Sequence, residues 1–138
     1  MLLDFSQLKD GDVAGLSCFQ NRYGFIGVKK ENGQFFIVMQ KAMEKGDAIG
    51  KKIESISLTS YLSPLTSKIY LRVNCDFRDR TDKATFSYSL DGKEWKNIGD
   101  TLQMYYDWPD FCGYRFALFH YATKEAGGVA DFDWFHVK

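Results

Sequence analysis

Across residues 69–77 apolar and polar side chains alternate without a break. Leu71, Val73, Cys75 and Phe77 fall on one parity, and Tyr70, Arg72, Asn74 and Asp76 fall on the other. A period of two belongs to an extended strand with one face in a core, and a helix cannot bury it. Residues 85–90 repeat the pattern, with Phe86, Tyr88 and Leu90 opposed by Ser87 and Ser89. Elsewhere, strand-length runs of β-branched and aromatic residues are separated by turn signals about every ten residues. This pattern predicts an all-β fold, an antiparallel two-sheet β-sandwich of jelly-roll type. Strands are expected near 13–20, 22–30, 34–39, 51–58, 67–76, 83–90, 94–98, 113–122 and 129–137. Glu31-Asn32-Gly33 and Leu90-Asp91-Gly92-Lys93 read as tight turns. The polar stretch 40–47 reads as a loop, and the charge run 78–83 as a solvated one.

A chain of 138 residues is most simply one domain, large enough to form a core without metal or disulfide staples. Its 17% aromatic content exceeds what a small core needs. Some rings are therefore expected on a surface, where flat apolar faces meet flat ligands. Eighteen basic and eighteen acidic residues cancel to a net charge of zero, which argues against nucleic acid or an anionic membrane as partner. Cys18, Cys75 and Cys112 are odd in number and widely spaced with no C-x-x-C pair. They read as buried free thiols, not as a disulfide framework or zinc site. No basic segment leads into an apolar signal region, and no apolar run approaches the roughly 20 residues that span a bilayer. The expectation is a soluble chain whose sequence names no compartment.

Catalytic patterns are scarce. No Gly-x-Ser-x-Gly elbow is present, and His120 and His136 have no evident serine or cysteine partner. Gly11, Gly15, Gly24 and Gly27 form no phosphate-binding run. Asp131 and Asp133 lie two apart on an expected strand, which sets their α-carbons about 6.6 Å apart. Carboxyl pairs at about 5–10 Å can hydrolyse glycosides, so the spacing permits catalysis. Phe132, Trp134 and Phe135 fit a packed terminal strand instead. By parity the two acids share a face with Phe135 and Val137, opposite Phe132 and Trp134. Acids beside apolar neighbours need a cation, either a structural calcium or a base such as Arg115 or Lys124. Residues 101–114 crowd Tyr105, Tyr106, Trp108, Phe111 and Tyr114 around Pro109 and Gly113. Such a segment either lids the core or forms a stacking platform.

Four segments carry a family resemblance. They are Lys9-Asp10-Gly11-Asp12-Val13-Ala14-Gly15-Leu16; Tyr23-Gly24-Phe25-Ile26-Gly27-Val28-Lys29-Lys30; Tyr70-Leu71-Arg72-Val73 leading to Phe86-Ser87-Tyr88-Ser89-Leu90-Asp91-Gly92-Lys93-Glu94-Trp95; and Gly113-Tyr114-Arg115-Phe116 through Asp131-Phe132-Asp133-Trp134-Phe135. In this order they resemble the C-terminal β-sandwich module of glycoside hydrolase family 43 β-xylosidases and arabinofuranosidases, a concanavalin A-like jelly roll also classed as xylan-binding. The likeness covers the later two-thirds of that module and not the five-bladed propeller that performs hydrolysis. The family's opening strands have no counterpart before Ala14, and His120 stands where an asparagine is common. The missing strands imply open sheet edges and self-association through them.

The resemblance implies a single non-catalytic domain over 1–138 that binds xylan or xylo-oligosaccharides and docks on a catalytic glycosidase domain. No cofactor is required beyond the calcium considered for Asp131 or Asp133. Stacking is expected from Tyr23, Tyr70, Tyr106, Trp108 and Tyr121, and hydroxyl contacts from Arg72, Asn74 and Arg115. The alternatives are a docking domain without a ligand, or a remote glycosidase using Asp131 and Asp133.

Overall fold

In the computed structural model, which describes residues 1–42, 51–58, 67–106 and 112–138, the alternating segments pair as two antiparallel sheets. The strands are β1 (Leu2–Asp4), β2 (Asp12–Phe19), β3 (Tyr23–Glu31), β4 (Gln34–Ala42), β5 (Lys51–Ser57), β6 (Lys68–Asp76), β7 (Lys83–Ser89), β8 (Lys96–Asn97), β9 (Leu102–Gln103), β10 (Arg115–Ala122) and β11 (Asp131–Trp134). The front sheet runs β11-β1-β6-β7-β8, with β9 also paired to β7; the back sheet runs β10-β2-β3-β4-β5. Among the described residues there is no α-helix, only a 3-10 turn over Arg78–Arg80 within the exposed charge run. β4 continues to Ala42, so the loop expected from residue 40 begins as strand, and its remainder at 43–50 lies outside the described residues. The short strands β1 and β9 carry no alternation long enough to show in the sequence.

Register follows from parity and turn chemistry. β3 and β4 close on Glu31 opposite Gln34, across Asn32 and Gly33 at φ 51° and 74°. That is the left-handed pair a type I′ hairpin requires. After β7 the Asp91 carboxylate accepts the backbone N–H groups of Lys93 and Glu94 at 2.8 and 2.9 Å, which fixes the second turn. In β6, Ile69 and Leu71 are fully buried, with Val73 and Cys75 packed against the same core. Phe77, just past the strand end, is 55% exposed, because the apolar face stops where the ladder stops.

Between the sheets lie Leu3, Phe5, Leu8, Ile26, Ile37, Met39, Ile69, Leu71, Phe86 and Leu102, each under 2% exposed or at most 2%. Burial of each larger side chain favours the fold by roughly 1.5–3 kcal/mol. Cys18 of β2 and Cys75 of β6 bring their sulfurs to 3.8 Å across the sandwich, and all three cysteines are free thiols. Cys18 is buried, as expected; Cys75 and Cys112 are half-buried. Asp12 is fully buried at the start of β2. Its Oδ2 accepts the Lys9 N–H at 2.7 Å and lies 3.4 Å from His120 Nε2, so His120 meets an acid at the position where the family resemblance led to asparagine.

Candidate functional site

The outer face of the front sheet is built on β6 and β7. Tyr70, Arg72, Asn74 and Asp76 stand opposite Ser89, Ser87, Thr85 and Lys83, the polar face that alternation demanded. Arg72 lies over Trp95, its guanidinium carbon 3.4 Å from the ring centroid. Such stacking leaves the in-plane N–H donors of arginine available at their edges. The Tyr70 ring rests on the turn after β7, where a Cβ on Gly92 would stand 3.0 Å from the tyrosine Cζ. Tyr70 also meets Trp134 at 6.1 Å between centroids, and Trp134 meets His136 at 4.7 Å. Leu2 of β1 pairs with both Tyr70 and Trp134 and is buried. A line of His136, Trp134, Tyr70 and the Arg72–Trp95 stack thus crosses this sheet.

Trp134 corrects the parity reading. Phe132 packs against the core, yet Trp134 two residues on contacts the outer ring of Tyr70. The pairing slips between Leu2 and Leu3, so that Leu3 faces Phe132 and Leu2 faces Trp134. Asp133 is the extra residue of a bulge, and strand parity reverses there. Asp131 and Asp133 are exposed, and the base nearest Asp133 is Lys68 at 3.8 Å, not Arg115 or Lys124. Among the described residues no group of three His, Cys, Asp or Glu side chains gathers as a metal site.

The outer face of the back sheet has a different character. Val13, Phe25 and Val38 are at most 5% exposed there, ringed by Tyr23, Phe36 and Phe119. Phe119 packs edge-on against Phe25 at 4.7 Å and is stacked on Tyr121 at 5.9 Å, while Phe19 meets Tyr23 at 5.7 Å. Gly15 and Gly27 face each other across β2 and β3 on this sheet, so close that a Cβ on Gly15 would stand 2.5 Å from the Gly27 Cα. Burial, then the neighbouring Tyr23, pushes the Tyr121 hydroxyl above the usual phenol range. Arg115 opens β10 opposite Phe19.

The residues expected to form one sugar site therefore divide between opposite faces. Tyr70, Arg72 and Asn74 share the front face; Tyr23, Arg115 and Tyr121 share the back one. Tyr106, 72% exposed, lies beyond β9, and Trp108 lies outside the described residues. Trp95 and Trp134, which sequence reasoning did not nominate, join the front group. Trp95 had a signal, since a tryptophan just past a tight turn stands beside the strand it follows. Trp134 had none, because a bulge is invisible to alternation.

Two antiparallel sheets in jelly-roll order, with an aromatic and polar outer face, define a concanavalin A-like β-sandwich module. The family model for the beta xylosidase C-terminal concanavalin A-like domain matches residues 1–138. The chain belongs to that family. It is 27% identical over 133 residues to a beta-xylosidase of Formosa agariphila, covering 96% of this chain and 19% of the relative. Among solved structures, a bifunctional GH43-CE protein of Bacteroides eggerthii superposes with a TM-score of 0.84 at 47% identity, over 96% of this chain and 16% of that one. An engineered GH43 glycoside hydrolase displaying both endo-xylanase and exo-arabinofuranosidase activity superposes at 0.82 and 28% identity, over 94% of this chain and 26% of its own. The chain thus spans about a fifth of the length of the curated relative it matches.

Proposed function

We propose that this domain is a non-catalytic accessory module of a family 43 glycosidase and holds xylo-oligosaccharides on the outer face of its front sheet. One observation carries the reading: Trp134, Tyr70 and the Arg72–Trp95 stack stand in line beside the exposed amide of Asn74. Xylose rings offer apolar C–H faces to aromatic rings, and their hydroxyls need directional partners. This face supplies both within one sheet. The back face supplies mainly rings, with Phe19 52% and Tyr121 41% exposed. That composition favours a second role, docking against the catalytic domain, because an apolar patch of this kind suits a protein interface.

Isothermal titration with xylohexaose tests the sugar-binding role. Binding is expected for the wild type and is lost in Trp134→Ala, with Tyr23→Ala unaffected. Titration that is flat for the wild type, or binding lost only with Tyr23→Ala, rejects the front face. A chromogenic xyloside assay should show no turnover; turnover that disappears in Asp131→Asn would reinstate the remote-glycosidase alternative.

A further inference from the structure

Arg72 brings to the front face a chemistry that exceeds what a neutral sugar needs. The acids around it are engaged elsewhere. Asp76 accepts from Arg78 Nε at 3.0 Å and from its terminal nitrogen at 2.9 Å. Asp133 lies 3.8 Å from Lys68, and Asp91 Oδ1 takes the Ser89 hydroxyl and the Lys93 and Glu94 N–H groups. Among the described residues no carboxylate lies within ion-pairing distance of Arg72, which is exposed and held flat on Trp95.

A second observation points to a ligand at the same place. Ser87 is the cross-strand partner of Arg72 and pairs on its other side with Asn97. It is 3% exposed, and its Oγ has no hydrogen-bond partner among the described residues. A buried hydroxyl left without a partner is costly, and a ligand oxygen seated between Arg72 and Asn97 relieves that cost. A guanidinium fixed by stacking has lost the freedom that ion pairing would otherwise cost, and its parallel N–H pair matches a carboxylate fork to fork.

We infer that the front face recognises an acidic sugar, with Arg72 pairing the carboxylate of a uronic acid substituent on a xylo-oligosaccharide. Ser87 and Asn97 take neighbouring oxygens, while Tyr70 and Trp134 stack on the xylose backbone. This inference rests on the sugar-binding reading above and narrows its ligand.

The test titrates the chain with aldotetraouronic acid and with xylotetraose at low ionic strength. The acidic sugar is expected to bind about tenfold tighter, the effect of one charge-assisted hydrogen-bonded pair. The preference should shrink as salt rises. Arg72→Gln should weaken the acidic sugar far more than xylotetraose and so remove the preference, and Arg72→Lys should retain only part of it, because an ammonium cannot make the bidentate pair. Thermal melts check that both exposed-site variants fold. Equal affinity of the wild type for the two sugars, or a preference that survives Arg72→Gln, overturns the acidic-sugar assignment and leaves neutral xylan binding standing. No affinity for either sugar overturns both.

Discussion

Replacing Gly15 by alanine should damage this domain more than any surface change, because the glycine serves a close approach of two backbones. Gly15 faces Gly27 across β2 and β3. An alanine Cβ at 15 would be driven into the Ile26 carbonyl oxygen and would stand 2.5 Å from the Gly27 Cα. Ordinary contacts begin near 3.4 Å, so the strands must part by about 1 Å. Neither can do so freely, since β2 is hydrogen-bonded to both β10 and β3. Overpacking that side chains can absorb costs about 1–3 kcal/mol. Here the atoms met are backbone, which puts the cost at the upper end, about 3 kcal/mol.

At about 2.1 cal/mol/K per residue, unfolding 138 residues carries about 290 cal/mol/K, so the melt should fall by about 10 °C. Gly33→Ala is the control. Its Cβ meets nothing within 4 Å, but φ is +74°, so only left-handed strain of about 1 kcal/mol applies, a fall of about 3 °C. Circular-dichroism melts and urea titrations of both variants measure the difference. If Gly15→Ala melts no lower than Gly33→Ala, the strands have room to separate and the close-approach argument fails.

Acid titration should expose the carboxylates that hydrogen bonds hold down. Arg78 holds Asp76 at about 2, and the Lys93 and Glu94 N–H groups with the Ser89 hydroxyl lower Asp91. Depressed folded values mean that the unfolded chain binds more protons, so stability is fully present above about pH 4 and is lost toward pH 2; a melting temperature flat across that window contradicts it. The two facing thiols should react unequally. The contact with Cys18 lowers Cys75 against the opposing effect of burial, whereas the contact with Cys75 and burial raise Cys18, which is also the more buried of the two. Native-state alkylation followed by peptide mass spectrometry should label Cys75 well before Cys18; equal labelling refutes the assignment. Phe116 and Leu118 of β10 pair with the buried Cys18 and Leu16 yet are 39% and 38% exposed, on a strand with no outer neighbour among the described residues. The chain should therefore self-associate at high concentration, and Leu118→Lys should reduce this in light scattering; a wild type that stays monomeric counts against it.

Within each strand the sequence by itself determined a great deal. Alternation across residues 69–77 and 85–90 separated Leu71 and Phe86 from Arg72 and Ser87, because a period of two assigns faces wherever one side is buried. Asn32-Gly33 and Asp91-Gly92 placed their turns, because those residues accept the backbone angles and side-chain bonds that the turns need. Tertiary structure decided everything that depended on pairing at a distance. The insertion of Leu2–Asp4 between β6 and β11 leaves no mark on three residues. The slip at Asp133 turned Trp134 outward to Tyr70. Parity also could not say that Tyr23, Arg115 and Tyr121 face away from Tyr70, Arg72 and Asn74. Alternation distinguishes inside from outside within one strand, but a sandwich has two outsides, and only the pairing of strands into sheets assigns each residue to one of them.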